Sequence, residues 1–132
     1  MRPNSRPSAG PQDLASMDDA YQRMRASLPH DIPECSEADP DFHTALLVAS
    51  HNHVLVQLAS VIRAALRALF ELTNSLGSAH EKALHLHGAV VEAVRLRQPE
   101  VARAAILKIL DAAVTDLRAG GQKLYHLSLR NP

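Results

Sequence analysis

Apolar side chains in this chain recur at three- and four-residue spacing, and no stretch of useful length alternates with period two. Leu14, Met17, Tyr21, Met24 and Leu28 predict a helix over residues 13–28, with Asp13 as its cap. Pro29 and Pro33 close it and open a short linker. Asp39-Pro40 reads as the next start, a carboxylate N-cap followed by a proline at the first helical position. That helix carries Phe42, His43, Leu46, Leu47 and Ala49, and stops near Ser50. Asn52 is the expected cap of a long helix over residues 54–72, whose apolar positions include Val54, Leu55, Leu58, Ile62, Leu66 and Leu69. Asn74, Ser75 and Gly77 break it. Ser78 with Glu81 forms a capping-box pair for a fourth helix to about residue 96, striped by Leu84, His87, Val91 and Val94. Pro99 opens a fifth, to about residue 117, on Ala102, Ala105, Ile106, Ile109 and Ala113, and Gly120-Gly121 reads as its C-cap. The fold class that follows is all-α, an antiparallel helical bundle.

The polar ends change the picture little. Residues 1–12 hold Pro3, Pro7, Gly10 and Pro11 with serines between them, and read as a disordered leader. Residues 13–117 are then one helical domain, and 118–132 a C-terminal tail. A 46% hydrophobic content supports a core, and aromatic residues at 3% leave it to Ala, Leu, Val and Ile. Basic and acidic residues balance at 14 each, with no basic block, so this chain alone is not expected to bind DNA. Cys35 is the single cysteine, read as a free linker thiol, which excludes an internal disulfide and fits a reducing, cytoplasmic setting. No signal peptide follows Arg2 and Arg6, and no apolar run reaches a membrane span.

Candidate chemistry concentrates on histidine. Asp39 and His43, four residues apart, share a helix face, and His87 comes from another helix inside an apolar stripe. Pointed into a bundle, one carboxylate and two imidazoles suit a divalent cation such as zinc. Spacing alone is weak evidence for this, and the plainer account has Asp39 as a cap and His87 as a satisfied core side chain, the usual role of a lone histidine on an apolar face. His30, His51, His53, His80, His85 and His126 read as surface residues. Arg63 and Arg67, one turn apart, are candidates to grip a carboxylate, with a solvated helix face as the competing account. Asn52 stands either with them or as a cap. No nucleophile motif, phosphate loop or HExxH pattern is present, so catalysis has no support.

These residues resemble a known family. Asp39-Pro40-Asp41-Phe42-His43 followed by Ala49-Ser50-His51-Asn52 resembles the D-x-x-F-H and A-S-x-N segments of the FadR C-terminal (FCD) domain of GntR-type transcription regulators. The run from His87 to Val94 resembles that family's H-x-x-I-x-x-A-I segment, and Ala102-Arg103-Ala104-Ala105-Ile106 its A-x-x-A-M. The resemblance implies a helical bundle that binds small organic acids, often sugar acids, in many members beside a divalent metal. It implies Asp39, His43 and His87 as metal ligands, with Ile109 standing where the family's last histidine would fall. It further implies an effector-binding and dimerisation module, here without the winged-helix DNA-binding half, pairing with itself or with a full-length regulator. The alternative is a structural or interaction bundle with no small-molecule ligand, and a metal-dependent enzyme ranks last.

Overall fold

The computed structural model describes residues 8–74 and 79–130. Six helices and no strand occur among them: α1 (Pro11–Ser27), α2 (Ile32–Ala49), α3 (His53–Gln57), α4 (Ala59–Asn74), α5 (Ala79–Arg95) and α6 (Pro99–Arg130). The expected all-α bundle is what the chain forms. Helix α1 packs on α2 and α5, α2 on α4, and α6 on α5 and α4, whereas α2 and α5 have no close backbone approach among the described residues. The core between them takes Met17, Ala20 and Met24 from α1, Cys35, Ala38 and Phe42 from α2, Val90 and Val91 from α5, and Ala105 and Ile109 from α6.

Several boundaries differ from expectation, each for a local reason. Helix α1 begins at Pro11, with Gly10 as its N-cap. Asp13 lies inside the first turn, and its carboxylate reaches back to accept the Gly10 N–H at 2.8 Å. Expected leader residues 1–7 lie outside the described residues, whereas Pro11 and Gln12 are helical.

Helix α2 starts two turns before Asp39. Asp31 is its N-cap, accepting the Glu34 N–H at 3.1 Å, and Pro33 sits in the first turn. Asp39 is therefore no cap, and Pro40 lies inside the helix, fully buried. An interior proline costs about 3 kcal/mol. Upstream, the Asp31 cap and the burial of Cys35 and Ala38 favour the continuous helix. Cys35 is thus a core residue rather than a linker thiol, and burial pushes its thiol up to about 11.

Asn52 caps as expected, its Oδ1 accepting the Val54 N–H at 3.0 Å and the Leu55 N–H at 3.4 Å. The single helix expected after it is two. The Leu58 N–H is shared between the Val54 and Leu55 carbonyls, a tightened turn that separates α3 from α4. The capping pair at Ser78 lies outside the described residues. Helix α5 closes with Arg97 in the left-handed region (φ 54) while the Gln98 N–H bonds the Ala93 carbonyl at 2.9 Å. Helix α6 runs straight through Gly120 and Gly121 to Arg130, so the pair is neither a cap nor the start of an irregular tail. Glycine permits a left-handed cap without imposing one, and continuing the helix costs only about 1 kcal/mol per glycine.

Candidate functional site

Because α2 runs through Asp39 without capping there, the carboxylate is free to turn inward. Asp39 and His43 lie one turn apart on α2, and His87 faces them from α5. Asp39 Oδ1 is 3.2 Å from His87 Nε2 and 3.8 Å from His43 Nε2, and the two imidazole Nε2 atoms are 3.4 Å apart. Phe42 stands edge-on to both rings, with centroids 5.5 Å from His43 and 5.0 Å from His87. This wedge fixes the imidazoles, and His87 is 4% exposed.

The proton positions follow from the partners. His87 Nδ1 donates to the Ala83 carbonyl at 2.9 Å, which leaves a lone pair on Nε2 in the neutral ring. That lone pair faces a carboxylate oxygen. Burial pushes the Asp39 carboxyl up, but His87, with its Nε2 at 3.2 Å, and the nearby His43 more than offset it, holding the group below its ordinary range. Burial drives His43 down to about 4, opposed by Asp39, so its ring is neutral at neutral pH. With Nδ1 bonded to Ala83, His87 Nε2 meets Asp39 favourably only through a second proton or a metal ion. A cation among the three satisfies all of them at once.

The donor set also fits a metal dimensionally. Ligands 2.0–2.1 Å from a tetrahedral zinc stand about 3.3 Å from one another, and the observed separations of 3.2, 3.4 and 3.8 Å lie close to that edge. The Ala83 carbonyl on His87 Nδ1 is the outer hydrogen bond that fixes a ligating imidazole.

Beside the trio lies a cavity of about 200 Å³. Helix α4 lines it with Ile62, Leu66, Leu69 and Phe70, α5 with His80, Ala83 and His87, and α6 with Ile109, Leu110, Ala112, Ala113 and Asp116. Its walls are mostly apolar and carry no Lys or Arg among the lining residues. A larger depression of about 580 Å³ between α1 and α2 is open to solvent; of its charged residues Asp19, Arg23 and Asp41, the last two pair at 2.7 Å.

The structure thus brings Asp39, His43 and His87 together and puts Ile109 in the wall beside them. It places Arg63 and Arg67 elsewhere. Arg63 Nη2 pairs with Asp41 Oδ1 at 2.6 Å and Arg67 Nη2 with Glu37 Oε2 at 2.6 Å, ties that fasten α4 to α2. Neither lines the cavity, because α4 turns Ile62 and Leu66 toward it instead. Asn52 spends its carbonyl oxygen on the α3 cap. Sequence reasoning missed His80, expected at the surface, and Asp116. Both line the cavity, and both had a helical signal: His80 lies two turns before His87, and Asp116 continues the Ile109 and Ala113 stripe. His30, His51, His53, His85 and His126 are exposed as expected.

Known proteins match this chain over most of its length. The chain is 33% identical over 107 residues to the galactonate operon transcriptional repressor of Escherichia coli (strain K12), an alignment covering 80% of this chain and 46% of the repressor. The chain therefore spans about half the length of that relative. The FCD domain family matches residues 7–112, a stretch that contains Asp39, His43 and His87 with helices α2, α4 and α5 and the first part of α6, and the chain belongs to that family.

Proposed function

We propose that this chain is the effector-binding and dimerisation domain of a FadR-type GntR transcription regulator. In this reading Asp39, His43 and His87 hold a divalent metal, zinc or a similar ion, and a small carboxylate effector in the adjoining cavity completes its coordination. The observation that supports it is the convergence of one carboxylate and two imidazole nitrogens, all within 4.8 Å of one another, at an apolar cavity lacking basic side chains. Asp39 and Asp116 repel an anion there, and the neutral His43 imidazole offers it little charge. A bound cation supplies the Lewis acid that an organic anion needs. With three protein ligands, the position at Ile109 leaves the ion open toward the effector.

The relative's galactonate operon makes sugar acids the first class to test. Partnership, as a homodimer or with a full-length regulator, is supported by exposed apolar side chains on α3, α4 and α6, among them Val54, Val61, Leu72 and Val101. Among the described residues no helix is long and apolar enough to cross a membrane, and we place the protein in the cytoplasm. It is read as a sensor rather than an enzyme.

The test is metal analysis of the purified chain together with thermal shift against a panel of organic acids, galactonate included, with and without zinc. Zinc should bind, and acids should raise the melting temperature only in its presence. His87→Ala should abolish both effects, and Ile109→His should tighten the metal. A wild type that takes up no ion, with an acid response unchanged in His87→Ala, would leave the interaction-bundle alternative standing.

A further inference from the structure

His80 is the polar group in the cavity that neither the trio nor the core absorbs. Its Nε2 is buried and has no hydrogen-bond partner. Its ring is not loose, however: it lies flat on Phe70, centroids 3.8 Å apart with 7° between the planes. A buried ring nitrogen without a partner costs free energy unless a ligand satisfies it, and the stacked ring holds that nitrogen in place.

His80 is not a fourth chelator. The ligand atoms of Asp39, His43 and His87 lie within 4.8 Å of one another, and His80 falls outside that group. On α5 it precedes His87 by seven residues, about 10 Å along the helix axis. Asp116 lines the same cavity from α6. The cavity therefore carries polar groups at the trio and also at His80 and Asp116, among walls of Ile62, Leu66, Leu69 and Ile109, and both Asp39 and Asp116 act on the charge of His80.

We infer that the effector is a small organic acid that places its carboxylate at the trio and an uncharged hydroxyl between His80 and Asp116, with an apolar body between them. This rests on the metal reading above and adds the effector's far end. A hydroxyl both accepts and donates, so it takes the His80 Nε2–H and gives its own proton to the Asp116 carboxylate. A second carboxylate is disfavoured beside Asp116, and burial holds His80 below its ordinary range, hence neutral. A polyhydroxylated body would leave hydroxyls unpaired against the aliphatic walls, so within the carboxylate class proposed above this inference favours an acid with fewer hydroxyls than galactonate. At about 200 Å³ the space is smaller than the roughly 300–1,000 Å³ of drug-sized sites.

The experiment titrates zinc alone and then, on the zinc-loaded chain, three acid families. These are butanoate, pentanoate and hexanoate, their terminal hydroxy acids, and the matching dicarboxylates. In the wild type at least one hydroxy acid should bind about threefold to tenfold tighter than both its parent and its diacid. His80→Phe keeps the stack on Phe70 without the nitrogen and should erase that preference while leaving zinc affinity unchanged. His80→Gln, with an amide nitrogen near the Nε2 position, should keep part of it, and it carries the test alone if circular dichroism shows that His80→Phe does not fold. Zinc binding with no hydroxyl preference, or a preference that survives His80→Phe, overturns this inference and leaves the metal reading intact. Loss of zinc affinity in His80→Phe as large as in His87→Ala makes His80 a metal ligand instead. A wild type that binds no zinc removes both.

Discussion

His43 is held neutral by its surroundings, and that has a thermodynamic sign. Unfolded, the imidazole protonates near 6.5, whereas in the folded chain burial lowers it to about 4. Between those values the unfolded state binds more protons, so acid favours unfolding. This contribution is complete above about pH 6.5 and shrinks as pH falls toward 4, by about 3 kcal/mol at most. Asp39 adds in the same direction at still lower pH, since its carboxyl sits below its ordinary range. Metal-free protein should lose melting temperature across this window, and His43→Leu should flatten the loss. A profile flat from pH 7 to 4 would refute it. A second residue-scale expectation concerns Gly88. A Cβ there meets Tyr21 Oη at 2.8 Å and Cζ at 2.9 Å, so Gly88→Ala must displace the ring at the α1–α5 contact. We expect a net loss of about 1 kcal/mol despite alanine's better helix propensity, measured by urea unfolding. At this scale the Asp39–His43 pair was legible, because an Asp and a His four apart on a helix meet whatever the tertiary packing, whereas His87 on another helix came with the family resemblance. His80 was not legible, because its burial depends on where Phe70 of another helix arrives.

At the scale of elements, local signals located helices better than they located ends. Asp39-Pro40 carries the residue chemistry of a helix start, but Asp31 and Pro33 carry it too, and burial decided between them. The adjacent glycines of α6 look like a stop, yet nothing in the packing makes them one: a Cβ at Gly121 meets nothing within 4 Å. The α5 end shows the converse, a left-handed position filled by arginine where glycine is the usual choice. Arg97→Gly removes the Cβ conflict, worth roughly 1 kcal/mol, and should stabilise the chain by somewhat less, since glycine also loosens the unfolded state. Chemical denaturation checks it, and destabilisation would mean that the Arg97 side chain contributes more than its backbone costs.

For the whole molecule, the proposed partnership with another protein chain is tested on its exposed apolar faces. Helix α6, with 32 residues, spans about 48 Å and carries exposed Leu107, Leu110, Val114 and Leu117, then Tyr125, Leu127 and Leu129. Light scattering at micromolar concentration should give a dimer mass, and Leu110→Lys with Leu117→Lys should give a monomer of unchanged helicity. A monomeric wild type would count against this. The chain should also show no sequence-specific DNA binding at moderate salt.

The helices α2 and α5, which share the trio, do not otherwise approach each other closely by their backbones. An ion at Asp39, His43 and His87 would therefore be a clip between helices that meet through side chains alone, joining segments 44 residues apart at His43 and His87. Clips of this kind are read in rates. A contact of such long sequence separation is late to form, so zinc should slow unfolding many-fold while leaving the refolding rate nearly unchanged. The lifetime of the folded chain, rather than its speed of assembly, then becomes the quantity that reports occupancy. Stopped-flow unfolding with and without zinc measures it, and an effect confined to the refolding limb would show that α2 and α5 meet early.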